Sequence, residues 1–306
     1  MKPPIGIGVL SLAHGHVSLY ADVMKDFPDV RLLAACDDNP ERARPVCERT
    51  GMRYESRVEG VLDDPAVQAV MIGSETSRHA ALCIAAAEAG KHILLQKPMA
   101  MTLEECDRMN ASAAAHGVTL AMAWQMRHDP ANIKMRDLVQ SGALGTIGVV
   151  RRRHCIPVLF NAEFINGPTN WHVRAETNIG MFADDAAHPI DWLCWTFGKP
   201  ASVMAEIDNV LTHAAPDDNG IALFRLAGGA MATDANTPSR PGSRACDNYP
   251  NLSRVAFHGY HSSHKACREV ARYLSSGIAR TGPFELLPAG RELPVFAFKI
   301  AEDAQN

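Results

Sequence analysis

Over the first 123 residues, short apolar runs alternate with segments whose apolar residues recur at helical spacing. Strands are expected at Ile5–Leu10, Val30–Cys36, Ala69–Ile72, His92–Leu95 and Thr119–Ala123. Helices are expected between them at Val17–Lys25, Pro40–Thr50, His79–Ala89 and Leu103–Ala115. Strands that are apolar throughout are buried on both faces, so the alternation predicts an α/β domain with a doubly wound parallel sheet. After Trp124 the rhythm changes. A helix over Asn132–Ser141 ends at Gly142, and strand-like runs follow at Thr146–His154, Ser202–Val210 and Ile221–Leu226, interrupted by a helix from about Phe182 to Thr196. Successive strands predict an α+β domain with a mostly antiparallel or mixed open sheet. The expected division is residues 1–123 and 124–306. Residues 236–251, rich in Pro, Ser, Gly and Asn, read as a long surface loop leading to a strand at Val255–His258.

Composition narrows the partners. The 306 residues are 47% hydrophobic and 21% charged, an ordinary globular balance in a chain long enough for two cores. Thirty Lys and Arg against 34 Asp and Glu give a net charge of -4, with no basic field for nucleic acid or an anionic membrane. A small-molecule partner is expected. The eight cysteines form no CxxC pair, which fits reduced thiols in a cytosolic enzyme rather than a zinc knuckle. The apolar run Ile5–Leu12 is too short for a signal peptide, and no stretch approaches the ~18 apolar residues of a membrane span. The expectation is a soluble, cytoplasmic protein.

The pair Gly6-x-Gly8 imitates a dinucleotide fingerprint but lies inside the first strand, whereas a phosphate-binding turn follows the strand. The expected turn of a Rossmann domain is therefore Ser11-Leu12-Ala13-His14-Gly15-His16. Ser11 and Ala13 stand where glycines are usual, and Gly15 supplies conformational freedom. Pyrophosphate then sits over the helix N-terminus, where backbone N–H groups and the dipole favour anions. His14 and His16 either contact the cofactor or cap the helix. The second strand ends in Asp37-Asp38, where an acid can hydrogen-bond the adenosine ribose; Asp38-Asn39-Pro40 can equally cap the next helix. Two carboxylates with no arginine immediately beside them repel a 2′-phosphate, favouring NAD over NADP.

Four ordered blocks carry a family resemblance. Ala89–Pro98 (AGKHILLQKP) resembles the AGKHVLxEKP signature of the Gfo/Idh/MocA oxidoreductases, named for glucose–fructose oxidoreductase and inositol dehydrogenase. Ser74-Glu75-Thr76-Ser77-Arg78-His79 is similar to that family's TPNxxH-like loop, and Gly142-Ala143-Leu144-Gly145 to its GxxG turn. Gly180-x-x-x-Asp184-x-x-x-His188-x-x-Asp191 resembles its GGxxxDxxxHxxD helix. The resemblance implies that Lys97, Asp184 and His188 are catalytic and bind substrate. It also places Ser74, Glu75, Thr76, His79, Gln96, Lys97 and Pro98 at the cofactor. The implied reaction moves hydride between a secondary hydroxyl of a sugar, inositol or related polyol and nicotinamide.

The chemistry of these positions agrees. Asp184 and His188 are i and i+4, so both meet one face of a helix. Removing hydride from a carbinol carbon needs a base for the hydroxyl proton, a role suited to His188, with Lys97 stabilising the developing alkoxide or relaying the proton. The reverse assignment stays open. Arg127 either binds substrate or supports the domain junction, and Trp171-His172 form a plausible sugar-facing pair. Gln96 stands where the family usually has Glu, which removes a carboxylate partner from Lys97. The region after Leu226 is compressed relative to the family. His258, His261 and His264 have a metal-like spacing without an acidic or cysteine ligand, so a polar turn before a helix at Lys265–Ser276 is expected and no metal. Two other readings remain, an NAD-dependent glycosidase acting by transient oxidation and a non-catalytic NAD-binding regulator. An open sheet also predicts a homo-oligomer, a dimer or tetramer.

Overall fold

The computed structural model describes residues 3–154, 162–210, 215–236, 284–286 and 298–300. The chain forms two compact units. One comprises Met1–Trp124 with Asn161–Ala187 and Asp208–Asn219; the other comprises Gln125–Phe160, His188–Ile207 and Gly220–Asn306.

The first unit alternates β1 (Ile5–Leu10), α1 (Gly15–Met24), β2 (Val30–Cys36), α2 (Pro40–Thr50), β3 (Arg53–Glu55), α3 (Glu59–Leu62), β4 (Ala69–Ile72), α4 (His79–Glu88), β5 (His92–Leu95), α5 (Leu103–Ala115) and β6 (Leu120–Met122). The six strands form a parallel sheet in the order β3-β2-β1-β4-β5-β6. Successive strand residues enter different cores, Leu10 and Ile72 one cluster, Val9 and Met71 the other. Continuous apolarity along these strands is thus the consequence of helices packing on both faces. The expected strands and helices are present. The pattern missed β3 and α3, which are too short to show a period.

Gly6 and Gly8 are packing glycines. A Cβ on Gly6 would collide with the Ala66 carbonyl, and one on Gly8 with the Val61 side chain. Their place inside β1 is explained without any phosphate.

The later part of the chain adds α6 (Pro130–Gln140), β7 (Val149–His154), α7 (Ala162–Asn166), α8 (Met181–Phe197), β8 (Ser202–Asp208), β9 (Asn219–Arg225), β10 (Met231–Asn236), β11 (Phe284–Leu286) and β12 (Phe298–Ile300). A mixed four-stranded sheet runs β7-β10-β9-β8, with β10 parallel to β7 and antiparallel to β9. In β9, residues alternate between buried (Gly220, Ala222, Phe224) and exposed (Ile221, Leu223, Arg225). One face is therefore open, carrying Val149, Ile221, Leu223 and Met231, each about half exposed. Among the described residues no helix is long and apolar enough to cross a membrane. Residues 237–251 of the expected loop, the strand Val255–His258, the histidines His258, His261 and His264, and the helix Lys265–Ser276 lie outside the described residues.

Candidate active site

The turn after β1 is built by a serine in a glycine's conformation. Ser11 has φ 66°, the left-handed region, while Gly15 is the first residue of α1 and has no positive φ. The freedom expected of Gly15 is thus required at Ser11 instead. The strain is held by polar bonds: Ser11 N–H donates to the Cys36 carbonyl at 2.7 Å, and its hydroxyl donates to Asp37 Oδ2 at 3.3 Å. The Ser11 hydroxyl oxygen also accepts from Ala13 N–H at 3.3 Å. His14 is the N-cap of α1, its Nδ1 accepting from His16 N–H at 3.3 Å, and its own N–H donates to the Gly73 carbonyl at 2.8 Å.

Asp37 braces this turn. Its Oδ2 accepts Leu12 N–H at 2.6 Å, and its Oδ1 accepts Asn39 N–H at 2.8 Å and Arg42 Nη2 at 2.7 Å. Burial alone raises the carboxyl, but the Arg42 guanidinium and these N–H donors bring it below its ordinary range. Asp38 is the exposed member of the pair and is bonded by Arg42 at 3.0 Å and Arg78 at 2.8 Å. The expectation of no arginine beside the acids is overturned. Arg42 reaches back across the first turn of α2, and Arg78 arrives from the loop before α4. Asn39 caps α2 through Glu41 N–H at 3.0 Å, so ribose candidate and cap are different residues.

The loop Ser74–His79 is braced by His79, whose fully buried ring lies between the Pro98 carbonyl at 2.9 Å and the Ser74 carbonyl at 3.2 Å. Burial lowers its pKa. The Glu75 carboxylate lies 3.5 Å from Arg78. The Thr76 hydroxyl donates to Asn178 Oδ1 at 2.8 Å, tying this loop to the segment before α8.

Lys97 follows β5, and its Nζ donates to Asp184 Oδ1 at 2.5 Å, with both side chains buried. The other oxygen, Oδ2, accepts His172 Nδ1 at 2.7 Å and Asn178 Nδ2 at 2.9 Å. Burial raises the Asp184 carboxyl, yet the Lys97 ammonium and the His172 bond overcome it and hold the group well below the carboxylate range. Gln96 therefore does not deprive Lys97 of a carboxylate, since Asp184 provides one. His172 is stacked on Trp171 with ring centroids 3.6 Å apart, and Trp171 Nε1 donates to the Ala13 carbonyl at 3.3 Å. The sequence pair Trp171-His172 is thus fixed against the turn of the first unit.

Neighbouring groups show what burial does without such partners. Asp185 is pushed up to about 8, chiefly by burial; the Lys97 ammonium pulls it down, and the neighbouring Asp184 and Asp217 charges push it up. His14 falls well below its usual value and His16 falls to about 4, in each case by burial first and Lys97 second. Gln96 Oε1, His14 Nε2 and His16 Nδ1 are buried with no hydrogen-bond partner among the described residues. Such orphaned atoms around Lys97 and the turn fit a polar ligand.

Helix α8 explains the glycine of the Gly180-x-x-x-Asp184 pattern. Gly180 has φ 107°, and a Cβ there would strike the Asp217 carboxyl, which accepts Phe182 N–H at 2.5 Å at the start of the helix. Asp184 and His188 lie one turn apart on α8, as their spacing predicts.

In the second unit, His188 is buried with its ring 6.3 Å from that of His154. Arg127 is bonded twice to Asp191, at 2.6 and 2.9 Å. Arg152 lies 4.6 Å over the Trp192 ring. Asn178, Asp185, Asp217, Arg42 and Arg78 were not singled out from the sequence. Only Arg42, at i+4 from Asp38, carried a local signal.

The doubly wound parallel sheet with a polar turn after β1 is the architecture of a Rossmann-type nucleotide-binding domain. The family of oxidoreductases with an NAD-binding Rossmann fold matches residues 5–124, and the GFO/IDH/MocA C-terminal domain matches residues 132–260. The chain belongs to the Gfo/Idh/MocA family of oxidoreductases. It is 27% identical over 239 residues to the myo-inositol 2-dehydrogenase of Thermotoga maritima, an alignment covering 76% of this chain and 68% of that protein. It is 26% identical over 218 residues to the scyllo-inositol 2-dehydrogenase (NADP(+)) IolW of Bacillus subtilis, covering 68% of this chain and 57% of that protein. The crystal structure of GenD2 from gentamicin A biosynthesis, in complex with NAD, shares the fold with TM-score 0.72 at 24% identity, covering 79% of this chain and 68% of that one.

Proposed function

We propose that the protein transfers hydride between a secondary hydroxyl carbon of a sugar, inositol or related polyol and a nicotinamide dinucleotide. The observation that carries this reading is the buried Lys97–Asp184 pair at 2.5 Å, with His172 on the same carboxylate. Bound nicotinamide would supply the hydride acceptor. The groups to hold the dinucleotide are the Ser11–His16 turn, Asp38, Ser74, Glu75, Thr76, Gln96 and Pro98, with Asp37 and His79 positioning them. Lys97 polarises the substrate oxygen and stabilises negative charge as it develops. Two buried histidines, His172 of the first unit and His188 of the second, are the candidates for proton acceptor.

NAD is the preferred nucleotide, on a different basis from the one the sequence offered. Arg42 and Arg78 are present but paired with Asp37 and Asp38, so a 2′-phosphate would have to displace carboxylates from both. The five described free cysteines support a reducing compartment, the cytoplasm. The open apolar face of the four-stranded sheet supports a homo-oligomer, which sedimentation of a Leu223→Lys variant checks. Calorimetric titration with NAD and NADP, followed by absorbance at the NADH band with a polyol panel, tests the function itself. NADH formation that disappears in Lys97→Met supports the reading. Absence of binding by either nucleotide contradicts it.

A further inference from the structure

We infer that Arg152 has two docking places on the inner face of the four-stranded sheet, and that the proton on Asp234 chooses between them. With the proton in place, the guanidinium rests on the Trp192 ring and Met126 Sδ. Once the proton leaves, the guanidinium moves onto the Asp234 carboxylate. Arg152, Asp234, Trp192 and Met126 all lie in the second unit, and none takes part in the hydride transfer proposed above.

Asp234 and Arg152 are register partners on the parallel strands β10 and β7. Neighbouring strands lie ~4.8 Å apart and register partners share a face, so a guanidinium on its flexible stem can span the gap. The face is the covered one. Ala222 and Phe224 of β9, which pair with Asp234 and Ala232, are buried, as are Asp234 and Ala232 themselves. Asp234 is 0% exposed, and neither carboxyl oxygen has a hydrogen-bond partner among the described residues. Arg152 is turned elsewhere: its guanidinium lies 4.6 Å over Trp192 of α8, and its Nη2 donates to Met126 Sδ at 3.5 Å.

This arrangement is the one a neutral Asp234 allows. A bare carboxylate in a closed site costs far more than a neutral carboxyl there. Burial pushes the group up to about 7 against the pull of Arg152. The guanidinium keeps its charge throughout, and a ring face and a thioether are weaker acceptors than a carboxylate in a low dielectric. Loss of the proton therefore puts the best acceptor beside Arg152, and the guanidinium crosses to it. The other charged and titratable groups nearby are otherwise placed. Asp129, which also attracts Arg152, caps α6 by accepting Ala131 N–H at 2.7 Å and Asn132 N–H at 3.2 Å. His154, two residues beyond Arg152 on the same face of β7, has its ring 6.3 Å from that of His188 on α8. The turn Gln125–His128 supplies Met126 and also Arg127, which is bonded to Asp191, the neighbour of Trp192. Withdrawal of Arg152 breaks the link through Met126 and leaves this turn held to α8 through Arg127 and Asp191.

Two NMR signals of the full chain test this as pH is raised from about 4 to 9, the carbon-13 resonance of the Asp234 carboxyl and the indole Nε1–H of Trp192. In wild type both should move together, with one shared midpoint between about 4 and 7. Asp234→Asn should hold the Trp192 signal at its acid position at every pH. Arg152→Gln should leave Trp192 insensitive to pH and raise the Asp234 midpoint by about one unit or more, because the paired guanidinium is gone. A Trp192 signal that stays still while the wild-type Asp234 carboxyl titrates would overturn the inference. So would a Trp192 shift that survives Asp234→Asn, which assigns it to His154 or His188. An Asp234 carboxyl already ionised at the acid end means a permanent ion pair, and overturns it as well. The wild-type signals decide the matter even where a variant does not fold.

Discussion

Two buried aspartates, one in each unit, show opposite solutions to the same problem. Asp184 in the first unit is almost fully enclosed, yet stays ionised because Lys97, His172 and Asn178 occupy its oxygens. Asp234 on β10 is equally enclosed, but neither of its oxygens has a hydrogen-bond partner among the described residues. Burial pushes it up to about 7, with Arg152, its register partner on β7, pulling the other way. Burial is common to both; what differs is the number of donors within bonding distance. Asp184 is supplied with a cation and an oriented imidazole, whereas Asp234 exchanges its proton near neutrality.

The largest effect expected from breaking this contrast comes from Lys97→Met, which leaves Asp184 buried without its cation. Urea unfolding should lose about 3–5 kcal/mol, the cost of an uncompensated buried charge, and hydride transfer should disappear. Asp234→Asn should sharpen the contrast in the other direction. A raised folded-state pKa means the native state keeps a proton that the unfolded chain loses. Wild-type stability from this group therefore falls as pH rises from about 4 to 7. The variant should lack that slope, which is on the order of 1 kcal/mol per pH unit at its steepest, and should match wild type below pH 4. Equal slopes in both proteins would show that Asp234 is partnered.

Asp38→Ala tests the other charged cluster. It removes one of two carboxylates from each of Arg78 and Arg42, leaving Glu75 on the first and Asp37 on the second, so the NADP to NAD affinity ratio should rise about tenfold, roughly 1.4 kcal/mol, by calorimetry. Ser11→Gly should give the smallest change. It removes a left-handed strain of ~1–2 kcal/mol and two hydrogen bonds of ~1 kcal/mol each, leaving stability within about 1 kcal/mol of wild type.

What the sequence disclosed follows the range of the forces involved. The strands and helices of the first unit were legible because a two-faced sheet writes continuous apolarity into each strand. Ordered blocks singled out Lys97, Asp184 and His188, and the spacing of the last two matches their place on one helix, α8. The partner of Asp184 was not legible. His172 is twelve residues away and Lys97 is 87 away, and only folding brings them to one carboxylate. The bonds of Asp37 were hidden for a related reason: an acid at the end of β2 looks the same in sequence whether or not it also closes the preceding turn, as Asp37 does through Leu12 N–H. Gly15 was credited with a conformation that Ser11 adopts, because side-chain bonds to Asp37 and Ala13 can hold a serine where glycine is the easier choice.

The most direct test of the central claim is NADH formation in a single turnover with a polyol panel, comparing wild type with Lys97→Met after each has been shown to bind NAD. The account predicts an NADH burst in wild type and none in the variant. Equal bursts in both would contradict the assignment of Lys97 and Asp184 as the charged centre of the reaction.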